Sequence, residues 1–365
     1  MVTHLYPVQP IAAPRWGQAR HRRARICYNT RMKIVVFDSD GSAKDIIDAA
    51  LGEGNTIVHI SGRATDDLLK VHADADIISV FTTSALKKEQ IEMLPNLKCI
   101  VARSTGVDHI DTVYAKEKKI VVVNVPKYGA RTVSEFTFAL MLSLSRRIFD
   151  AFYQIRESGS FKTNNLEGFD LYGKTLGVIG TGSIGHTVVG IAQGFGMNVH
   201  MFDRFPDTSL EGERAKYVSL DRLLKESDIV SLHIPYAPDA HHLINREALA
   251  KMKQGAMLIN TARGELVDTE ALLEAMKSGH IGGAGLDVLE EERMLKDEME
   301  LVRGVESIHS LKAIIRNHVL IDMPRVVITP HIAFFSREAY HEILTTTAAN
   351  IKNFIAGTPS NVVNV

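Results

Sequence analysis

From position 32 onward, short apolar runs alternate with stretches of helical spacing. Runs at 34–37, 57–60, 76–81, 97–102 and 120–123 read as strands, and 45–51 and 87–94 read as helices between them. A mostly apolar stretch at 134–148, closed by Arg146 and Arg147, predicts a helix that needs burial on several sides, either inside the protein or in a subunit interface. It falls short of the roughly 20 apolar residues of a membrane span. A second series follows: a strand at 176–179, a helix at 184–195, a strand at 197–202, then runs at 229–234, 257–260, 283–288 and 326–329. Such alternation produces parallel sheets with helices on their faces. The pattern predicts an α/β chain of two doubly wound, Rossmann-like domains, with ligands collected at the carboxyl ends of the strands.

The strand at 176–179 runs into Gly180, Gly182 and Gly185, a G-x-G-x-x-G turn, and Asp203 closes the next strand eighteen residues later. Gly180 permits the tight turn, Gly182 lets a pyrophosphate approach the backbone, and Gly185 lets helix and strand pack closely. Ser183 and Ile184 open the helix, where unpaired N–H groups and the helix dipole favour phosphate. A carboxylate at Asp203 suits a ribose 2′-hydroxyl and repels a 2′-phosphate, which favours NAD over NADP; the adjacent Arg204 pulls the other way. Strand, turn, helix, strand and aspartate together specify a dinucleotide site far better than the hexapeptide alone.

The 365 residues suffice for about two domains. A formal net charge of −1 gives no reason to expect nucleic acid or an anionic membrane as partner. Cys27 and Cys99 are the only cysteines, so a disulfide framework is excluded and a reducing, cytoplasmic setting is expected. No metal is expected: His241 and His242 are adjacent, and no His/Asp cluster has ligand spacing. Residues 1–31 differ from the rest, with six arginines, three prolines and no carboxylate. They read as a disordered basic extension ahead of Met32, which stands immediately before the first strand.

Polar groups at the later strand ends carry the candidate chemistry. Arg263 follows one strand, Asp287 closes the next, the run Glu290-Glu-Glu292 comes just after, and His331 follows the last. Reduction of a 2-oxo acid needs these types. The charge left on oxygen by hydride arrival takes a proton from a histidine near neutral pKa, a carboxylate orients that histidine, and an arginine grips the substrate carboxylate or carbonyl oxygen. Taken singly, each has a plainer reading: a surface arginine in a turn, a solvated acidic face, a hydrogen-bonded loop histidine.

From Met32 to the C-terminus the chain resembles the D-isomer-specific 2-hydroxyacid dehydrogenases. The resemblance rests on Arg103-Ser-Thr-Gly-Val-Asp-His-Ile-Asp111, Val133-Ser-Glu-Phe136, the glycine turn, His233-Ile-Pro235, Asn260-Thr-Ala-Arg-Gly264, Gly285-Leu-Asp-Val288 and Thr329-Pro-His-Ile-Ala333. It implies a substrate domain at 32–130 and 332–365, an NAD-binding domain at 131–331, and an active site in the cleft between them. It also implies a catalytic triad of Arg263, Glu292 and His331, and contacts to NAD from Ile234, Pro235, Thr261, Ala262, Arg263 and Asp287, the last at the nicotinamide end. Backbone N–H groups of Ser104, Thr105, Gly106 and Val107 would form a nest for the substrate carboxylate. A homodimer using the helix at 134–148 is implied as well.

Two departures from the family pattern stand out: Ala240 replaces a usual threonine, and Arg293 replaces the usual proline after Glu292. A long charged segment at 296–316 and the aromatic pair Phe334-Phe335 after His331 are similar to the D-lactate branch. Phe334 would wall a pocket for an apolar side chain, or else fill the core beneath the hinge. The expected activity is reduction of a small, pyruvate-like 2-oxo acid to the D-2-hydroxy acid. The alternatives are a glyoxylate or hydroxypyruvate reductase, and an NADH-sensing corepressor without turnover.

Overall fold

The apolar runs become strands of two separate, wholly parallel sheets. In the computed structural model, which describes residues 31–292 and 308–364, the first sheet holds β1 (Lys33–Val36), β2 (Thr56–His59), β3 (Ile77–Val80), β4 (Cys99–Ala102) and β5 (Val121–Val123), in the order β2-β1-β3-β4-β5. The second holds β6 (Thr175–Ile179), β7 (Asn198–Phe202), β8 (Ala215–Tyr217), β9 (Ile229–Leu232), β10 (Ala256–Asn260), β11 (Ile281–Leu286) and β12 (Val326–Ile328), in the order β12-β11-β10-β9-β6-β7-β8. Its order reverses between β6 and β9, so the crevice at their carboxyl ends is where a doubly wound sheet places a ligand. β3, β4, β9, β10 and β11 are buried along their whole length, as helices on both faces of a parallel sheet require. Residues 1–30 of the arginine-rich leader, with Cys27, and positions 293–307, with Arg293 and the first part of the charged segment, lie outside the described residues.

Helices start where caps dictate rather than where the apolar spacing begins. α1 (Gly41–Leu51) starts four residues ahead of its apolar spacing because the Asp40 side chain accepts the N–H of Ala43 at 2.8 Å. α2 (Asp66–Val71), α3 (Lys88–Glu92) and α4 (Thr112–Glu117) complete the crossovers of the first sheet. The stretch expected as one helix at 134–148 is two. α5 (Ala130–Ser145) ends at Arg146, and Arg147 takes φ 53, a left-handed turn that stops the helix before α6 (Ile148–Ser158) begins. Ile148 therefore belongs to the second helix.

α5 lies inside the larger domain. It buries Val133, Phe138, Leu140, Met141 and Leu144, and it packs against β10, β11, β12 and α7 (Ser183–Gly194). Apolar surface is left instead on α6, where Ile148, Phe149, Phe152, Tyr153 and Ile155 are all exposed. α8 (Leu220–Glu226), α9 (Arg246–Lys251) and α10 (Thr269–Lys277) cover the other face of the second sheet, and α11 (Ile308–Ile321) packs on α10 and β12.

The last helix, α12 (Arg337–Ile355), returns to the first sheet, against α1 and β4. Ala348, Ile351 and Phe354 join Ile34, Val36, Ile47, Ile77 and Val101 in one core cluster. Burying Ile351 and Phe354 contributes about 1.5–3 kcal/mol each. Asn350 Nδ2 donates to the carbonyl of Asn124 at 2.8 Å, and Val362 forms a bridge to Val123, so the chain end is stitched to β5.

Candidate active site

The strand ends and the loop after β4 face one another across a cleft of about 460 Å³. Gly106, Asp108 and His109 line it from the smaller domain; Arg263, Glu292 and His331 line it from the larger. The three residues expected to form a triad are thus brought together. His331 Nδ1 lies 2.7 Å from Glu292 Oε1, which assigns Nδ1 as the donor and leaves Nε2 as the ring's other nitrogen. The ring and the carboxylate are both about a fifth to a quarter exposed, at 21% and 25%.

The turn that presents His331 is set by Asp287 at the end of β11. Its Oδ1 accepts from Thr329 Oγ1 at 2.5 Å and from Ile332 N at 2.9 Å, and its Oδ2 accepts from Ala333 N at 2.8 Å. His331 itself adopts φ 56, a left-handed conformation that is uncommon outside glycine and that this anchoring sustains. Burial lifts the Asp287 carboxyl above the usual carboxylate range, against the pull of these donors. The carboxylate is therefore spent on the loop, two residues before the histidine and one and two residues after it. Another strand-end histidine, His233 after β9, is pulled down by burial to about 3 and donates or accepts at Ser231 Oγ at 2.8 Å. It stays neutral and is no proton donor at physiological pH.

Arg263 extends from the turn after β10, where Asn260 Nδ2 donates to its carbonyl at 2.7 Å. Its Nε donates to Asp108 Oδ2 at 3.2 Å and its Nη1 to the carbonyl of Ala262 at 2.8 Å. Opposite it, Ser104 is buried and its Oγ donates to the carbonyl of Gly106 at 2.6 Å. The N–H groups of Gly106 and Val107 have no acceptor among the described residues, as a nest open to an anion requires. Thr105 Oγ1 donates to the carbonyl of Val125 at 2.9 Å, which pins the loop from below.

Phe334 stands beside the histidine. Its ring centroid is 6.3 Å from that of His331, 5.4 Å from Phe81 and 6.3 Å from Tyr128, and Phe335 lies behind it at 5.8 Å. Phe81, Tyr128 and Asp108 carry no signal of their own in the sequence, although Asp108 sits inside the motif at 103–111.

A model of the D-isomer-specific 2-hydroxyacid dehydrogenase NAD-binding domain matches residues 138–333, more than half of the chain. The chain belongs to that family. A 2-hydroxyacid dehydrogenase homolog of Haemophilus influenzae is 35% identical to this dehydrogenase over 89% of this chain and 97% of its own. An aromatic 2-oxoacid reductase of Clostridium sporogenes is 40% identical over 78% of this chain and 85% of its own. Among solved structures, D-lactate dehydrogenase from Aquifex aeolicus, complexed with NAD and lactic acid, superposes with a TM-score of 0.82 at 34% identity, covering 91% of this chain and 99% of that one. The dehydrogenase is accordingly an NAD-dependent 2-hydroxyacid oxidoreductase.

Its glycine turn fits that cofactor. Gly180 has φ 94, and a Cβ there would lie 2.6 Å from the carbonyl oxygen of His233; a Cβ at Gly185 would strike the carbonyl of Gly180. Gly182, by contrast, faces open space and caps α7 without a side-chain hydrogen bond, so the helix N-terminus is left free for phosphate. Asp203 Oδ2 accepts from Thr181 N at 2.6 Å and Oδ1 from Phe205 N at 2.9 Å. Burial opposes ionisation of Asp203, but these donors outweigh it and hold the carboxyl below its ordinary range. Arg204, the residue that could have welcomed a 2′-phosphate, is paired at 2.6 Å with Asp239. Ile234, Pro235, Thr261 and Ala262 occupy the turns after β9 and β10, where they could line the bound cofactor. Ala240, at the position of a usual threonine, is packed into the apolar core of the domain.

Proposed function

We propose that the dehydrogenase reduces a 2-oxo acid with a small apolar side chain, pyruvate-like, to the D-2-hydroxy acid. The observation that supports this substrate is the aromatic cluster of Phe81, Tyr128 and Phe334 beside His331. The ring faces of such a cluster give an apolar side chain a surface to pack on. Residues 32–130 with 332–365 act as the substrate domain and 131–331 as the NAD-binding domain, a division supported by the return of α12 to α1 and β4.

In the forward reaction bound NADH supplies hydride to the substrate carbonyl carbon. Arg263 and the N–H groups of the 104–107 loop hold the substrate carboxylate, which fixes the carbonyl relative to His331. His331 gives its proton to the carbonyl oxygen as charge develops there. Glu292 accepts from Nδ1 at 2.7 Å, so the ring keeps one orientation and its positive charge is offset until the proton leaves. Asp287 holds the loop that presents the ring.

NADH oxidation by the purified protein, measured across pyruvate, 2-oxobutyrate, 2-oxoisocaproate, phenylpyruvate, glyoxylate and hydroxypyruvate, tests the substrate. The expected result is the highest kcat/KM with an apolar member, and a shift toward bulkier side chains in Phe334→Ala. Best turnover with hydroxypyruvate or glyoxylate would reject the apolar pocket in favour of that reductase activity.

The cofactor preference has its own test. Asp203→Ala is expected to narrow the ratio of kcat/KM for NADH over NADPH by about tenfold, since removing a carboxylate removes repulsion of the 2′-phosphate. An unmoved ratio would show that Asp203 does not meet the ribose.

A further inference from the structure

We propose that Asp108 is a positioning residue for Arg263. It reaches from the substrate domain across the cleft to hold the guanidinium by Nε, so that Nη2 faces the anion-binding loop. The inference rests on the reading of Arg263 as the group that binds the substrate carboxylate.

The two side chains come from different domains and are 155 residues apart in sequence, yet Asp108 Oδ2 and Arg263 Nε are 3.2 Å apart. Both ends of the pair stand on fixed backbone. Lys87 Nζ donates to the carbonyl of Asp108 at 2.7 Å, Leu86 N to that of His109 at 2.9 Å, and Ile110 N to that of Val107 at 2.8 Å. On the other side the Asn260 amide holds the carbonyl of Arg263 and accepts from Ala262 N at 3.0 Å.

With Nε given to Asp108 and Nη1 to Ala262, the third nitrogen has one place to go. Nη2 lies directly on Gly106, so closely that a Cβ there would overlap it, while the same Cβ would sit 3.1 Å from Asp108 Oδ2. The missing side chain at position 106 is therefore the room in which the pair sits, beside the unpaired N–H groups of Gly106 and Val107.

The cavity also explains why such a hold is needed. Glu265, Glu291 and Glu292 line it together with Arg263. An arginine released from Asp108 has three further carboxylates within the same cleft to turn toward. Turning toward Glu292 would take the partner of His331 as well. Asp108 is 53% exposed, and an ion pair so open to water adds little to fold stability; its effect is on the direction of the fork.

Steady-state kinetics with pyruvate and NADH, with NADH binding followed separately by fluorescence, test this. Asp108→Ala is expected to raise KM for pyruvate about tenfold with a smaller change in kcat and an unchanged NADH Kd. Asp108→Asn, whose amide oxygen still accepts from Nε, should lie between the two. Arg263→Lys lacks Nε, so adding Asp108→Ala to it should raise KM no further. Unchanged KM in Asp108→Ala, or effects of the two substitutions that simply multiply, would overturn the proposal. Arg263→Lys alone separates the premises: if it leaves KM unchanged, the substrate-binding role of Arg263 fails. If it raises KM while Asp108→Ala does not, only the positioning role fails.

Discussion

His331→Gln is expected to lower kcat for 2-oxo acid reduction by about 10²- to 10⁴-fold while NADH binds as before. Glutamine keeps an amide near the position of the ring and can still be held by Glu292, but it has no proton to give at neutral pH. Like histidine it must adopt the left-handed φ of 56, at a somewhat greater cost, so the substitution is read beside NADH binding, which reports on the loop. Two other titratable groups at the strand ends are not free to take over: His233 is held neutral by burial, and the Asp287 carboxylate is occupied by Thr329, Ile332 and Ala333. Single-turnover reduction and a fluorescence titration of NADH measure the two quantities separately. Turnover that persists at the native rate would remove His331 from the mechanism, and loss of NADH binding would mean that the loop itself had moved.

Gly264→Ala is the second large effect expected, and for a steric reason. Gly264 has no left-handed φ; what it lacks is room. A Cβ there would overlap the carbonyl carbon and oxygen of Leu289 and lie 2.5 Å from Glu290 N, all backbone atoms that no rotamer change can clear. The segment that must yield leads directly to Glu292, and the residue before the glycine is Arg263. One methyl group therefore disturbs both ends of the proposed triad. Overpacking of this kind costs about 1–3 kcal/mol of stability, and misplacing catalytic groups by an ångström lowers kcat/KM by about 100-fold. Gly190→Ala in α7, where nothing lies within 4 Å, serves as the control and is expected to leave stability equal or better by about 0.5–1 kcal/mol. Native kcat/KM in Gly264→Ala would show that the turn and the 289–292 segment are not tightly coupled.

The parts of the site legible in the sequence are those encoded locally. Glycines at 180, 182 and 185 are needed by one turn, and Asp203 follows at the length of one helix and one strand, so spacing alone brings them together. The strand ends carrying Arg263, Asp287 and His331 follow from counting apolar runs. What the sequence did not disclose depends on which loop of one domain meets which turn of the other. Asp108 against Arg263 and Phe81 against Phe334 are contacts of this kind, and no periodicity reports them. Arg103 illustrates the converse: an arginine at a strand end looks like a ligand for anions, yet its side chain is buried, donates to the carbonyl of Phe37, and lies 5.7 Å from the Phe81 ring. Its burial is a property of the fold around it. The break at Arg147 was likewise hidden, because a left-handed residue between two apolar helices leaves no mark on hydrophobic spacing.

The return of α12 gives the molecule an order of completion. The sheet that is synthesised first lacks the cover on one face until residues 348, 351 and 354 arrive, and the whole larger domain lies between. A growing chain can close the seven-stranded domain on itself as soon as β12 has emerged, whereas β1 and β4 keep apolar surface unmatched until α12 follows. The contacts that finish the smaller domain span some 300 residues, as between Tyr340 and Asp40, and such long closures form slowly. The smaller domain is thus the one most exposed to interrupted synthesis: a chain stopped before Arg337 retains the glycine turn and Arg263, Glu292 and His331 but has no finished domain to set against them.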